Sequence, residues 1–465
     1  MLRIYNHYIS RTVVLLIGAE IFVLMFAVYF GTGIRFFDYV EPLPFSFSSL
    51  LPEAVTFTFV MILCMAAMGL YQIDSRLDIK DTLFRLMPSM MLGFGIMTLI
   101  FYLLPDLYLG RGVLGLVLFL AFSSILLNRA AFLKWSSLGI LESQAIVLGI
   151  GGKAKEFVDQ AKTDSRHRAL KIIGFVPLPD EELQVPSSAV LPKLDSLMSL
   201  VNRHKVREII IAIQERRGGC FPIQDLLECK LNGIKVTDSA AFFEREQGQI
   251  RVNSLYPSWL VFGGGFDQSL LRSGIKRIFD LVASGVLLVV TLPVMLVTAL
   301  CILLEDGAPI FYRQERVGKG GKTFMVVKFR SMRNDAEKAG KPLWAVANDP
   351  RVTRAGKIIR KLRIDELPQI FNVLNGDMSF VGPRPERPYF VHQLCAEVPY
   401  YNVRHSIKPG ITGWAQVRYR YGASVEDAIE KLQYDLYYVK NHSLFLDVII
   451  LIETIEVVVL GKGGR

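Results

Sequence analysis

Leu281-Val-Ala-Ser-Gly-Val-Leu-Leu-Val-Val-Thr-Leu-Pro-Val-Met-Leu-Val-Thr-Ala-Leu-Cys-Ile-Leu-Leu304 is uncharged throughout, and at more than about 20 residues it is long enough to cross a bilayer as a helix. Pro293 stands near its middle. A proline lacks the backbone N–H, and its ring clashes with the preceding turn, so it breaks or kinks a helix. Arg272, Lys276 and Arg277 precede the run, and Arg313, Arg316, Lys319 and Lys322 follow it. Basic flanks favour the cytoplasmic side. Both ends therefore belong on one side, and a re-entrant helix-break-helix turning at Pro293 satisfies them. Unpaired backbone at such a turn is tolerated at membrane depth only where protein packs around it. The alternative, a plain spanning helix, would carry everything after residue 305 out of the cell.

N-terminal to this segment, apolar runs at roughly 12–30, 50–71, 86–104 and 112–128 each approach spanning length. They predict a four-helix transmembrane bundle over residues 1–135. The first run is too long for a cleaved signal peptide, and no small-residue cleavage pattern follows it. Arg3, Arg11, Arg76, Lys80, Arg85, Arg129 and Lys134 fall on one side of the bundle against Arg35 and Arg111 on the other, which places both ends of the bundle in the cytoplasm. Glu20 is the one central ionisable residue, so the bundle reads as an anchor, not as a transport pathway.

Residues 144–262 change character. Ala145-Ile-Val-Leu-Gly-Ile-Gly-Gly-Lys-Ala154 reads as strand, glycine turn and helix, and Gly149, Gly151 and Ala154 have the spacing that lets a backbone approach a diphosphate. Further strands at 171–176, 207–213 and 233–237 predict a small parallel, Rossmann-like α/β domain. An acidic residue at the end of the second strand would hold a ribose, but Ile172-Ile-Gly-Phe-Val-Pro177 supplies none. No bound cofactor is expected here, and the glycines are assigned to turn geometry.

Composition agrees with a membrane protein: 51% of the 465 residues are apolar. Lysine and arginine exceed aspartate and glutamate by 53 to 43, an excess that suits lipid headgroups, diphosphates or nucleic acid and cannot choose among them. The cysteines at 64, 220, 229, 301 and 395 form no CxxC pair, which points away from a zinc site or disulfide framework.

Residues 272–465 hold the chemistry. Ile310 to Arg333 reads as a hairpin turning at Gly318-Lys-Gly-Gly321, and strand alternation puts Lys328 and Arg330 on one face. Those cations either grip a diphosphate or form a solvated basic face. Further on, Asp349 to Asp377 is dense in charge yet carries helical apolar spacing at Ile358, Ile359 and Leu362, then at Leu367, Ile370, Phe371 and Leu374. It predicts two helices with a joint. Pro368 should open the second and leave Asp365 and Glu366 at the junction, where a helix N-terminus favours anions. With Arg360, Lys361 and Arg363 close by, both carboxylates are expected to be ionised.

Asp365-Glu-Leu-Pro-Gln-Ile-Phe-Asn-Val-Leu-Asn-Gly-Asp-Met-Ser-Phe-Val-Gly-Pro-Arg-Pro-Glu386 resembles the signature of the bacterial sugar transferases, the monotopic phosphoglycosyl transferases. Supporting matches are Lys276-Arg-Ile-Phe-Asp280, Lys328-Phe-Arg-Ser-Met332 and Pro409-Gly-Ile-Thr-Gly-Trp-Ala-Gln416. With its bundle and α/β insert, the chain is similar to the large polyprenyl-phosphate hexose-1-phosphate transferases of exopolysaccharide and O-antigen assembly. The resemblance implies a mixed, mostly α-helical catalytic domain with a re-entrant membrane helix, on the cytoplasmic face of the bacterial inner membrane. It implies transfer of hexose 1-phosphate from a UDP-sugar, glucose or galactose, to undecaprenyl phosphate with release of UMP. Asp365 would be the nucleophile and a ligand of the required Mg2+, and Glu366 the assisting carboxylate. Lys328, Arg330, Arg360, Pro383, Arg384 and Pro385 would bind substrate. A homodimer is expected, nucleic acid is not a partner, and the bilayer is.

Two positions depart from the family pattern. Arg363 stands where many relatives carry a small residue, and Arg418-Tyr419 stands where they often carry Asn-Gly, which leaves the sugar and nucleotide open. The apolar stretch 444–460 contains Asp447, Glu453 and Glu456, so a helix packed at the membrane surface is expected instead of a span. Competing readings are the same chemistry with a UDP-N-acetylated or diamino sugar, a non-enzymatic polysaccharide-assembly scaffold, and a dinucleotide-dependent enzyme centred on Gly149 to Ala154.

Overall fold

The protein is described from a computed structural model covering residues 2–5, 7–37, 49–72, 79–137, 143–163, 170–179, 181–192, 196–213, 221–252, 264–266, 268–333, 351–419 and 424–459. Arg76, Cys220 and Asp349, named above, lie outside these residues. The chain divides into two compact units. Met1–Leu2 and Ile9–Gln247 form one, and Arg3–Tyr8 with Gly248–Arg465 form the other.

In the first unit, helices α1 (Arg11–Arg35), α2 (Leu51–Ala67), α3 (Ile79–Leu103) and α4 (Arg111–Ser137) form the bundle. α1, α3 and α4 are long and apolar enough to span a membrane. α2, with 17 residues, is shorter than the run 50–71 suggested and rises only about 26 Å. Its interior packs Leu24, Phe57, Met61, Met97 and Val117, while Phe22, Phe26, Phe59, Met91 and Phe119 face outward. A Cβ on Gly31 would lie 2.8 Å from Val117 Cγ2, the close helix approach that small residues permit in membranes. Glu20 is fully buried and paired. Arg129 Nε donates to its Oε1 at 2.7 Å, and the Tyr71 hydroxyl donates to its Oε2 at 2.5 Å. Arg129 also donates to the Leu70 carbonyl at 3.1 Å.

Near the start of the chain β1 (Leu2–Ile4) pairs with β2 (His7–Ile9), and the first unit also holds a four-stranded parallel sheet of order β4-β3-β5-β6. Its strands are β3 (Ser143–Leu148), β4 (Leu170–Val176), β5 (Glu208–Ile211) and β6 (Lys235–Asp238), at the positions that the hydrophobic runs indicate. Helices α5 (Gly152–Thr163), α6 (Leu197–Arg203), α7 (Ile223–Leu231) and α8 (Ser239–Gln247) complete it. Ile146 and Ile209 pair in register at the centre.

The second unit is organised around α9 (Leu270–Asp306), 37 residues that would measure about 55 Å if straight. Its backbone remains helical through Pro293, so the interruption expected there is not seen. The physical reason is local: a proline costs one ladder hydrogen bond, whereas an open gap among apolar residues would leave several peptide groups unpaired. Both ends of α9 grip this unit. At one end Lys276 pairs with Asp447 at 2.6 Å. Arg277 donates to the Val373 and Leu374 carbonyls at 2.6 and 2.7 Å, and Asp280 accepts from the Ser379 hydroxyl and the Phe380 N–H. At the other end the Glu305 carboxylate accepts from the Arg354 and Ala355 N–H groups at 2.7 and 2.8 Å, an anion at a helix N-terminus.

The hairpin β7 (Phe311–Val317) and β8 (Thr323–Phe329) is antiparallel and turns where the glycines predict, with Gly320 and Gly321 at φ +67 and +79. Then follow α10 (Arg354–Lys361), α11 (Gln369–Asn375), β9 (Ser379–Val381), α12 (Pro388–Glu397), β10 (Gly410–Thr412), α13 (Trp414–Arg418), α14 (Val425–Asn441) and α15 (Leu444–Val459). β9 and β10 pair in parallel. They meet backbone against backbone: a Cβ on Gly410 would lie 2.1 Å from Gly382 N, and one on Gly413 would lie 2.2 Å from Gly382 O. That contact accounts for the Pro409-Gly-Ile-Thr-Gly413 motif. In α15, Asp447, Glu453 and Glu456 are buried, with Glu453 paired to Arg418 at 2.5 Å. Leu444, Val448, Ile455 and Val458 stay exposed on the other face.

The Glu20–Arg129 pair predicts strong coupling. Arg129→Met leaves a buried carboxylate without its cation and should cost ~3–5 kcal/mol. Adding Glu20→Leu should restore much of that loss. Thermal unfolding of both variants in detergent checks this; a double variant no more stable than Arg129→Met contradicts it.

Candidate active site

Asp365 and Glu366 sit in a single 3-10 turn, Ile364–Glu366, between α10 and α11. The joint is made by Arg363, left-handed at φ +58, and not by the residue before Pro368 as expected, because Leu367 keeps a helical backbone. A left-handed corner ends α10 at once, so Pro368 needs only to start α11. α10 begins with Thr353, whose hydroxyl accepts from the Gly356 N–H at 2.9 Å. α11 is fixed to β8 by Asn372, whose side-chain amide donates to the Met325 carbonyl at 2.7 Å and accepts from the Val327 N–H at 3.0 Å. This contact brings Lys328, on β8, beside the acid pair.

Glu366 is a hub. Its Oε1 accepts from Lys328 Nζ at 3.1 Å and from Arg384 Nη2 at 2.7 Å, and its Oε2 faces Arg363 Nη1 at 3.5 Å. Its pKa has two opposed influences, burial raising it and the cations Arg384, Lys328 and Arg363 lowering it; the cations win and hold it well below the usual carboxylate range. Asp365 behaves in the opposite way. Burial, reinforced by the negative charge of Glu366, pushes its pKa up against the pull of Lys328, Arg360 and Arg384. Among the described residues no hydrogen bond or ion pair reaches its side chain. The sequence treated the two acids alike; the structure separates them.

Arg384 is carried by a rigid turn. Pro383 and Pro385 are buried, the Pro383 carbonyl accepts from the Gly410 N–H at 3.0 Å, and the Pro385 carbonyl accepts from Arg316 at 3.1 Å. Arg404 Nη2 donates to the carbonyl of Arg384 itself at 2.8 Å and pairs with Asp435 at 2.8 Å. Burial pushes Asp435 up to about 6, with Arg404 opposing. The two prolines therefore shape the turn, and the guanidinium between them faces the acids.

Five of the six charged residues singled out from the sequence come together: Lys328, Arg360, Asp365, Glu366 and Arg384. Arg330 does not join them. It follows the last residue of β8, is buried, and donates to the Asp306 and Gly307 carbonyls at 3.0 and 2.6 Å, with Asp306 also its ion-pair partner. Strand alternation fails there because the strand ends at Phe329. Arg418, the other departure noted, stacks 4.3 Å over the Trp414 ring and bonds Glu453, so it serves packing. Sequence reading missed Asn372, Arg404 and Arg316, whose roles depend on backbone carbonyls or N–H groups distant in sequence. Among the described residues no cluster of three or more metal-ligating side chains is present.

An apolar groove of about 400 Å3 reaches Ile364, the residue before Asp365 in sequence. Pro293, Val297 and Cys301 of α9, Ala355 and Ile358 of α10, and Ile364 line it.

Residues 271–461, which contain this whole constellation, match the family model described as bacterial sugar transferase. A relative from Salmonella typhimurium, an undecaprenyl-phosphate galactose phosphotransferase, is 30% identical over 74% of this chain and 72% of its own length. The chain belongs to the bacterial sugar transferase family. Residues 66–219 of this sugar transferase also match a model described as a CoA-binding domain. A UDP-N-acetylgalactosamine-undecaprenyl-phosphate N-acetylgalactosaminephosphotransferase from Aeromonas hydrophila is 45% identical over 52% of this chain, and the match spans 56% of that relative's length. A UDP-glucose:undecaprenyl-phosphate glucose-1-phosphate transferase from Xanthomonas campestris pv. campestris is 34% identical over 63% of this chain and 62% of its own.

The opposite shifts of the two acids predict opposite effects on stability. A carboxylate with a raised folded pKa opposes folding once pH exceeds its unfolded value, so Asp365→Asn should raise the melting temperature at pH 7.5. Glu366 contributes stability above its ordinary pKa that is lost as pH falls through its depressed folded value. Glu366→Gln should therefore cost ~3 kcal/mol at pH 7.5, with the deficit shrinking in acid. Calorimetry of both variants from pH 7.5 down to pH 4 checks the signs; equal shifts for the two would contradict the assignment.

Proposed function

We propose that this sugar transferase moves a sugar 1-phosphate from a UDP-sugar to undecaprenyl phosphate at the cytoplasmic face of the bacterial inner membrane, through a covalent intermediate on Asp365. The observation that carries this reading is the division of labour between the acids. Glu366 gathers Lys328, Arg384 and Arg363, while the half-buried Asp365 has, among the described residues, no hydrogen-bond or ion-pair partner and is left available as a nucleophile.

In the first step an Asp365 carboxylate oxygen attacks the phosphorus that bears the sugar. The bond from that phosphorus to the bridging oxygen breaks, and its electron pair leaves with UMP. In the second step an oxygen of undecaprenyl phosphate attacks the same phosphorus, the bond to Asp365 breaks, and the carboxylate is restored. Arg384, Lys328 and Arg360 surround the negative charge of the diphosphate, and Glu366 keeps the first two in place. The donor set fits Mg2+: among the described residues the Asp365 carboxylate oxygens carry no hydrogen bond or ion pair, and this ion commonly takes one or two carboxylates and completes its shell with phosphates and water. When bound it would neutralise phosphate charge so that one anion can approach another. Arg330 acts at a distance, tying the end of α9 to β8.

Contacts of one unit with both ends of α9, at Arg277 and at Glu305, support keeping both ends on the cytoplasmic face, although the helix does not break at Pro293. The groove is lined by Pro293 of the apolar helix and by Ile364, the residue before Asp365 in sequence, and its apolar lining suits the polyprenyl tail of the acceptor. The Aeromonas relative favours an N-acetylated donor and those of Xanthomonas and Salmonella glucose and galactose, so the donor is best assigned by competition among UDP-sugars. A homodimer completes the proposal as an expectation to be tested by mass measurement in detergent.

UMP release from UDP-sugars with undecaprenyl phosphate and Mg2+ tests the mechanism. Asp365→Asn should lose at least about 1,000-fold in rate and form no phosphosugar adduct by intact-mass analysis; equal UMP release by parent and variant would remove Asp365 as nucleophile. Val297→Trp and Ile358→Trp should raise KM for undecaprenyl phosphate roughly tenfold, the loss of about two methylene contacts. KM for the UDP-sugar should not move. A shift in both constants would instead place the groove in donor binding.

A further inference from the structure

The α/β domain carries a glycine turn of the kind that receives phosphates. β3 ends at Leu148 and α5 begins at Gly152. Gly149 is at φ +120 with its N–H bonded to the Val176 carbonyl, and a Cβ there would come within 2.6 Å of the Ala212 carbonyl oxygen. The turn's geometry is thus set by the sheet around it. Backbone N–H groups in such a turn, next to a helix N-terminus, favour an anion.

An anion is already there. The Ile150 N–H donates to Glu181 Oε2 at 2.8 Å. The other oxygen, Oε1, lies 3.5 Å from where a Gly149 Cβ would stand and 3.9 Å from the corresponding point at Gly151. The carboxylate therefore lies across both glycines of the motif. Its segment is held down on the far side, where the Gln184 N–H donates to the Ile150 carbonyl at 2.9 Å and Val185 is buried with Ile150 and Phe175. The matched family description implies CoA, whose diphosphate would be expected at this turn. The residues present do not fit it, because a fixed negative charge lies against the glycines where phosphate oxygens would approach.

We propose that Glu181 is the resident anion of this turn. Its carboxylate substitutes for a bound phosphate and latches the segment after β4 onto the start of α5. In the native chain the turn takes up neither CoA nor a nucleotide diphosphate. Among the described residues the carboxylate that reaches the turn, that of Glu181, bonds the turn's amide.

The experiment uses the full-length protein in detergent, with CoA and ADP as probes, and reads thermal unfolding together with equilibrium dialysis. The native protein should show no saturable uptake and no change in melting temperature. Glu181→Ala should gain a melting-temperature rise that saturates with CoA or ADP. Saturable CoA uptake by the native protein overturns the proposal, as does a folded Glu181→Ala variant that gains nothing. Should Glu181→Ala fail to fold, Glu181→Gln keeps the length and the acceptor for Ile150 while removing the charge. It should melt near the native temperature and take up more ADP than the native protein; a folded Gln variant with native-like ADP uptake also overturns the proposal. The native arm of the experiment stands regardless of either variant.

Discussion

Much of the catalytic unit depends on one buried carboxylate. Glu366 draws cations from three separate pieces of chain: Lys328 from the hairpin, Arg384 from the Pro-Arg-Pro turn and Arg363 from the left-handed corner. Without that anion the three positive charges would repel one another in a partly desolvated space. With it they form a fixed positive wall, and the adjacent Asp365 has no ion-pair partner among the described residues. Two neighbouring acids thus acquire opposite characters from their surroundings, a separation that often marks distinct roles in catalysis. The pattern is also economical in sequence, because both residues come from a single 3-10 turn.

The excess of basic residues overstates how many cations are available to a ligand. Arg277, Arg316, Arg330 and Arg404 all donate to backbone carbonyls, and each joins elements far apart in sequence. Arg277 donates to the Val373 and Leu374 carbonyls at the end of α11, the first of which also accepts from the Gly376 N–H. Arg404 holds the carbonyl of Arg384 and is itself neutralised by Asp435. These arginines work as multi-armed donors, a use for which the planar guanidinium suits and lysine does not. The cations that act on Asp365 are fewer, and of Lys328, Arg360 and Arg384 it is Arg360 that comes from the charge-dense run around the acids.

Much of this was legible from local signals. The glycines at 318–321 placed the hairpin turn, the apolar spacing before and after Asp365 placed two short helices with a joint, and the hydrophobic runs placed the strands of the parallel sheet. Proximity in sequence also put Arg360 beside the acids. What escaped was set by events at the ends of elements or by distant partners. Arg330 was assigned to the face of Lys328 because alternation was carried one residue past the end of β8. The joint was assigned to the residue before Pro368, whereas Arg363 makes it with a left-handed backbone that no side-chain pattern announces. The equal treatment of Asp365 and Glu366 failed because Arg384, eighteen positions after Glu366, chooses one of them.

Pro293 shows how lipid changes the meaning of a familiar signal. In water a helix can end at a proline, because solvent takes the freed carbonyl groups. Along α9, Val286, Val289, Val290, Leu296 and Val297 are exposed, and in hydrocarbon an opened backbone among them would find no partner. Continuing the helix with one missing hydrogen bond is the less costly outcome, and the Thr291 hydroxyl, bonded to the Leu287 carbonyl at 2.7 Å, stays inside the ladder. The proline therefore acts on shape and on packing instead of on chain continuity: it leaves a groove against α10, one residue from the nucleophile proposed here. On the proposed function, the acceptor's tail would remain among these apolar side chains while its phosphate reaches charged ones, so neither end of the molecule would have to leave the solvent that suits it.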